Sequence, residues 1–306
     1  MKKILIVGSI NMDLVANVES FPKPGQSVIG NTFDVFPGGK GANQCVAAAR
    51  LGADVEMAGM VGNDGYGETL LNMFDGEKVE RGNVFVAQTS TSVAVILINA
   101  QGENQIAAIP TANYAFGAKE LEKVRNAILG AGLILTQLEL KLEVVGELIK
   151  ICKKAGVPAI LNPAPAQRLP DEMLKGLDYI TPNETELELL TGLHAGTIDS
   201  LYAAADALLS KGVKCVIATL GKRGALIADK SGKKIIPGYR VTAVDTVAAG
   251  DAFNGALAAA LVGGKTIEDA VKFANAAGAL AVTKRGAIPS LPRLDEVESL
   301  FSISKK

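Results

Sequence analysis

Short apolar runs alternate along the chain with longer stretches of helical character, and this rhythm sets the expected architecture. Ile4-Leu5-Ile6-Val7 ends at Gly8 and reads as a strand buried on both faces, the pattern of a parallel sheet. Leu14–Val18 and Val28–Phe36, with Pro22-Lys23-Pro24-Gly25 between them, predict two strands paired as an antiparallel excursion. A helix opens in Gly38-Gly39-Lys40-Gly41-Ala42-Asn43-Gln44 and stops at Gly52. Val55–Val61 predicts a strand, and Gly62–Gly67 leads into a helix ending near Phe74. Ser92–Asn99 and Gln105–Ile109 read as a hairpin about Ala100–Glu103. From there strands at 133–136, 159–161, 179–180 and 215–218 alternate with helices at 118–129, 143–154, 184–190 and 200–209. A second hairpin (224–229 and 234–236) precedes the turn Asp245–Asp251, and helices at 252–261, 267–283 and 294–301 follow. Strand–helix alternation of this kind implies a mainly parallel sheet covered on both faces, with right-handed crossovers. No linker or repeat divides residues 1–306, so one α/β unit carrying a small β excursion is expected.

Composition narrows the function classes. The formal charge is −1, from 31 basic and 32 acidic residues mixed along the chain, which offers no basic block for nucleic acid. Cys45, Cys152 and Cys215 lie far apart without metal-like spacing, the pattern of reduced thiols in a cytoplasm. Met1-Lys2-Lys3 precedes only four apolar residues, too few for a signal peptide, and a cytoplasmic protein is expected. No apolar run approaches the roughly 18 residues that span a bilayer. The single histidine, His194, stands in a glycine-bounded loop and reads as surface; Ser-His-Asp triads and multi-histidine metal sites are excluded. The chemistry therefore falls to carboxylates, amides, lysine, arginine and backbone.

Several stretches could carry it. In Asp245-Thr246-Val247-Ala248-Ala249-Gly250-Asp251 the small residues permit a tight turn into a helix, whose N-terminus offers N–H groups to an anion. Asp251 is then either an ordinary helix-start acid or a base beside a bound phosphate. The Gly38 loop suits close approach to a ligand or simple helix capping; it is not a Walker A loop, since Lys40 precedes Gly41. A dinucleotide fingerprint is missing after the first strand, where only Gly8 is present, and Asn11 and Asp13 stand instead at a strand's carboxyl end. Glu139 and Asn162 also follow strands. Asn183 and Glu186 share a helix face and equally make a capping box. Thr219–Gly224, with two glycines and two cations, suits nucleotide phosphates or a basic hairpin.

Taken in order, Gly38-Gly39-Lys40-Gly41-Ala42-Asn43, Asn162-Pro163-Ala164-Pro165-Ala166, Asn183-x-x-Glu186, Thr219-Leu220-Gly221 and Asp245-Thr-x-Ala-Ala-Gly-Asp-x-Phe-Asn-Gly255 resemble the ribokinase family of sugar kinases over essentially the whole chain. The resemblance implies a three-layer ribokinase-like fold whose β-sheet lid, about 12–36 and 92–111, covers the sugar and meets its copy in a homodimer. It implies transfer of the ATP γ-phosphate to the O5 hydroxyl of D-ribose. Asp251 would be the base, with Ala248, Ala249 and Gly250 as the anion hole. Asn11, Asp13, Gly39, Lys40, Asn43 and Glu139 would hold the sugar, and Asn183, Thr219, Gly221, Gly224, Gly250 and Asn275 the nucleotide. Glu186 would order Mg²⁺ through water, and Asp245, Val247, Ala281, Lys284, Gly286 and Ser290 a monovalent cation such as K⁺. Thr111 stands where the family carries glycine, and Asp75–Arg81 is more charged than the family's connection there. Kinases of deoxyribose, fructose or nucleosides share most of these motifs, and a sugar-binding regulator without turnover is the competing class.

Overall fold

The computed structural model describes residues 2–303. Among the described residues, thirteen strands form two sheets: β1 (Ile4–Val7), β2 (Asn11–Val18), β3 (Gly30–Gly38), β4 (Val55–Gly62), β5 (Glu80–Ala87), β6 (Ser92–Ile98), β7 (Asn104–Ile109), β8 (Leu133–Thr136), β9 (Ala159–Leu161), β10 (Tyr179–Ile180), β11 (Cys215–Thr219), β12 (Ala225–Asp229) and β13 (Gly232–Ile236). The large sheet runs β13-β12-β11-β10-β9-β8-β1-β4-β5 and the small one β3-β2-β6-β7. From β11 to β5 the large sheet is parallel, with β12 and β13 antiparallel at one edge.

The apolar run of β1 explains the layering. Leu5 and Val7 enter one core with residues of the helices Leu142–Ala155 and Ile198–Ser210. Ile4 and Ile6 enter the other, with the helices Lys40–Arg50, Ala249–Val262 and Ile267–Ala281. Alternate side chains of a strand point to opposite faces, so a run apolar at every position must be sandwiched. The parallel sheet, its two helical layers and the small second sheet are those the sequence pattern implies.

The differences are local. β5 was not anticipated: Glu80-Arg81-Gly82-Asn83 carries strong polarity into an edge strand, where one side of the chain lies exposed. Asp75 and Arg81 of the charged connection form a two-bonded ion pair at 2.7 and 2.8 Å. β2 starts at Asn11, so Asn11 and Asp13 belong to the small sheet and not to a turn after β1. The helix expected over 118–129 is two, Ala118–Lys123 and Arg125–Gly130, parted at Val124 (ψ 1°). Short helices at Thr111–Ala115 and Asp171–Leu174 were not expected. The helix expected from Ala252 begins at Ala249, which places Asp251 in its first turn.

Candidate active site

Parallel strands present their carboxyl ends along one edge, and there candidate residues of the site collect. Glu139 follows β8, Asn162 follows β9, Asn183 follows β10 and Thr219 ends β11. Asn183 and Thr219 are joined by a parallel bridge. Against this edge lie the first turns of two helices, Lys40–Arg50 and Ala249–Val262. Gly41 lets the first approach: a Cβ there would stand 2.6 Å from Ser9 N.

Asp251 is the centre of the polar cluster. Its Oδ2 accepts from Asn43 Nδ2 at 2.9 Å and its Oδ1 from Gln44 Nε2 at 3.0 Å. Burial pushes its carboxyl above the usual range, while Lys40, Asn43 and Gln44 pull it back and Glu139 adds to the rise. Ala248 ahead of it adopts the left-handed conformation (φ 59°), unusual for a residue with a Cβ. The turn starts the helix Ala249–Val262, whose first N–H groups have no partner within the helix, although the Ala249 N–H donates to the Thr246 carbonyl at 3.4 Å. A Cβ built on Gly250 meets nothing within 4 Å, so the approach to it is open.

The sugar-binding candidates cluster around Asp251: Asn43 bonds it, and Lys40, Glu139 and Asp13 interact with it electrostatically. The Lys40 N–H donates to Glu139 Oε2 at 3.2 Å, and the Ser9 hydroxyl donates to the same oxygen. Burial works to lower the Lys40 pKa, but the Asp251, Glu139, Glu186 and Asp13 carboxylates raise it above its ordinary value. The Asp13 carboxyl is pushed up to about 7, by desolvation first, then by Glu139 and Asp251, against Lys40. Gly38 makes room for it, since a Cβ there would sit 2.3 Å from Asp13 Oδ2. Gly39 (φ 91°) leaves space for Asn11, whose N would be 2.7 Å from an added Cβ. Asn43 Oδ1 is buried with no hydrogen-bond partner, an acceptor that a ligand hydroxyl would satisfy.

On the other side of Gly250 lies a cavity of about 730 Å³. Asn183, Thr219, Gly221, Gly224, Gly250 and Asn275 all line it. Asn275 Nδ2 donates to the Ile236 and Pro237 carbonyls, both at 3.2 Å, and so fixes one wall. Glu186 and Asn183 make the capping box in full: the Glu186 N–H donates to Asn183 Oδ1 and the Asn183 N–H to Glu186 Oε2, each at 2.8 Å. Burial raises the Glu186 carboxyl above its usual range, against the Asn183 N–H and Lys40. Asp245 accepts from the Val247 N–H at 3.0 Å and the Gly286 N–H at 2.9 Å, tying those two loops together. Ala281 and Ser290 are buried beside them in sequence, but the Ser290 hydroxyl donates to Ala287 O at 2.8 Å and Lys284 Nζ to Glu296 at 2.6 Å. Neither side chain joins the Asp245 pair, so Lys284 can contribute only its carbonyl. His194 is exposed and pairs with Glu188 at 2.6 Å.

Sequence reasoning missed Asn113. Its Nδ2 donates to Asn11 Oδ1 at 2.6 Å and its Oδ1 accepts the Ile10 N–H at 3.0 Å, which sets the Asn11 amide. Thr111, singled out as the departure, donates to the Ser90 carbonyl at 2.8 Å instead. The segment 239–243 lining the cavity was also missed, because Tyr239-Arg240-Val241 carries no motif and no regular structure.

A buried carboxylate in the first turn of a helix, surrounded by polar side chains and flanked at Gly250 by a cavity of about 730 Å³, is an arrangement suited to a phosphotransferase. A family model described as pfkB family carbohydrate kinase matches residues 1–294, and the chain belongs to that family. It is 41% identical to a ribokinase of Haemophilus influenzae over 296 residues, 96% of this chain and 97% of the relative. It is 36% identical over 304 residues to a deoxyribokinase of Salmonella typhi, 99% of each chain. Its fold is similar to the structure of Arabidopsis thaliana ribokinase complexed with ribose and ATP, with a TM-score of 0.90, 34% identity and 98% of each chain covered.

Proposed function

We infer that the protein is an ATP-dependent sugar kinase that phosphorylates D-ribose on its O5 hydroxyl, giving ribose 5-phosphate and ADP. The observation that carries this reading is Asp251, held through both carboxylate oxygens in the first turn of a helix between the polar cleft and the cavity. Supporting it are relatives named ribokinase at 38–41% identity over nearly the whole chain.

Asp251 accepts the O5 proton as the new phosphorus–oxygen bond forms, a late event in a loose transition state. The N–H groups of Ala248, Ala249 and Gly250 face the charge on the migrating group. Asn11, Asp13, Gly39, Lys40, Asn43 and Glu139 hold the sugar, with acceptors and donors suited to a polyol. Asn183, Thr219, Gly221, Gly224 and Asn275 hold the nucleotide, on the strength of their place around the cavity.

Glu186, a buried carboxylate three residues from the cavity-lining Asn183, fits a Mg²⁺ ion that keeps its waters. When bound, that ion neutralises nucleotide phosphate charge. Asp245 with the carbonyls of the 245–247 and 281–290 loops fits a monovalent cation such as K⁺, hard oxygen donors around one carboxylate. The segments 12–36 and 92–111 would act as a lid within one kinase domain and pair two chains; its closure excludes water from the transfer. Buried reduced cysteines support a cytoplasmic setting, and among the described residues no helix is long and apolar enough to cross a membrane.

The test is ADP release from ATP, Mg²⁺ and K⁺ with ribose, deoxyribose, fructose and adenosine in parallel, wild type beside Asp251→Asn. Ribose gives the highest kcat/KM, and Asp251→Asn lowers turnover by about 10²–10⁴ while still binding sugar. Preference for deoxyribose would move the substrate to the class of the Salmonella relative. Sugar binding without ADP release would leave a regulator.

A further inference from the structure

Gln44 is fully buried, and its amide faces three partners. Its Nε2 donates to Asp251 Oδ1 and to Asn162 Oδ1, both at 3.0 Å, and its Oε1 accepts from Gln137 Nε2 at 2.6 Å. An ionised carboxylate only accepts, so Asp251 dictates which end of the Gln44 amide it meets. The direction then propagates. Asn162 receives the Gln44 N–H on Oδ1 and donates its Nδ2 to the Thr181 carbonyl at 3.2 Å. Thr181 Oγ1 donates to Asn254 Oδ1 at 2.6 Å, and Asn254 Nδ2 donates to the Gly250 carbonyl at 2.8 Å. These bonds leave Asp251 through its side chain and return to the main chain at Gly250, the residue before it. On the way they touch the residues that follow β9 and β10, so the circuit is anchored to the sheet.

We propose that Gln44 is a positioning residue for phosphoryl transfer: with Asn162, Thr181 and Asn254 it fixes the Asp251 carboxylate and the Gly250 end of the anion cradle in one relation to each other. The proposal rests on the reading of Asp251 as the base. Base and cradle act on the two ends of the same forming bond, and a misplacement of either by about 1 Å costs on the order of 10²-fold in rate. A closed circuit of buried side chains holds that spacing better than a free carboxylate rotor would. The helices are close enough for this reach because of Gly255, where a Cβ would stand 2.6 Å from Gln44 O and from Ala47 Cβ. Gln44 also helps keep Asp251 ionised, together with Lys40 and Asn43 of its own helix. The carboxylates facing Asp251 from elsewhere are Asp13 of β2, Glu139 after β8 and Glu186 of the helix Glu184–Thr191.

The experiment measures kcat, both KM values and the pH profile of kcat for wild type, Gln44→Glu and Gln44→Met, with folding checked by circular dichroism. Gln44→Glu keeps the length and the acceptor for Gln137 but sets a second carboxyl against Asp251. Its acid limb moves up by about 1 pH unit or more. Gln44→Met removes the donor to Asp251 and Asn162 together with the acceptor for Gln137, adds no charge, and moves the limb up by less. In both, kcat at pH 7 falls roughly 10–100-fold and recovers in part as pH rises, while the KM for ATP stays within about 2-fold. A merely structural role would lower kcat equally at every pH, and that result, or unchanged kcat in both variants, overturns the proposal. If neither Gln44 variant folds, Asn162→Ala decides, since it spares the Gln44–Asp251 bond and cuts the circuit beyond it. A kcat loss of about 3–10-fold with both KM values and the melting temperature unchanged supports the circuit, and no loss, or a loss that follows a fall in melting temperature, overturns it. An inactive wild type overturns the kinase reading as well, whereas an active wild type with indifferent variants overturns the proposal alone.

Discussion

Asp13 sits in the cleft with two other carboxylates near it, and its carboxyl titrates at about 7, raised by desolvation, Glu139 and Asp251 against Lys40. A folded-state pKa above the ordinary 3.8 means that the folded chain holds the proton more tightly than the unfolded chain does. The ionised group therefore costs stability. The cost is absent below about pH 4, grows as pH rises towards 7, and is complete above it. Asp13→Asn removes the charge and with it the cost. In the absence of sugar, the variant melts higher than wild type by at least about 2 °C at pH 8 and by nothing at pH 4. Thermal denaturation across that range checks it, and a pH-independent difference would show that Asp13 is not the source. The same substitution weakens sugar binding, because an ionised carboxylate accepts hydrogen bonds from hydroxyls that an amide nitrogen cannot. Stability given up by an unliganded carboxylate is the expected mark of a binding residue.

At the scale of elements, the site depends on how closely the helices Lys40–Arg50 and Ala249–Val262 approach. At Gly255 an added Cβ would lie 2.6 Å from Ala47 Cβ and Gln44 O and 3.0 Å from Ala48 N, mostly backbone atoms of a packed helix. Gly255→Ala forces the two helices apart and destabilises by about 1–3 kcal/mol, read as a lower urea midpoint. An unchanged midpoint would mean that the pair is not packed as described. Much of this scaffold was legible from the sequence. The run Ile4–Val7, apolar at every position, announced a sandwiched strand, and small residues before two helices announced the turns that begin them. The Asn183–Glu186 spacing was readable as a capping box, which the structure makes. What stayed hidden was long-range. Gln44 meets Gln137, Asn162 and Asp251 across 93, 118 and 207 residues, and no local period records such a meeting. β5 was hidden for the opposite reason: half-exposed at an edge, its polar start looks like connection.

For the whole molecule, the small sheet has the larger consequence. In register across its four strands run Phe36–Asp13–Ala94–Ala108 and, next to it, Asp34–Val15–Ile96–Ile106. One face thus carries Asp13 and Asp34 beside the apolar side chains of Phe36, Val15, Ile96 and Ile106. Ile106 is 58% exposed, an arrangement that leaves apolar surface in water unless something covers it. If the lid pairs two chains as proposed, a twofold interface lays this face of one copy against the same face of the other. If Asp13 holds the sugar as proposed, a second copy on that face also shields the sugar. Ile106→Glu places a charge where the two copies would meet, at a position remote from Asp251 in the polar network. Light scattering then shows a fall from two chain masses to one, and the KM for ribose rises by about 10-fold or more while the KM for ATP stays within about 2-fold. A wild type that is already monomeric at micromolar concentration would remove the paired lid. A monomeric variant with unchanged ribose KM would keep the dimer but detach it from sugar binding, leaving β2, β3, β6 and β7 of one chain to cover the sugar by themselves.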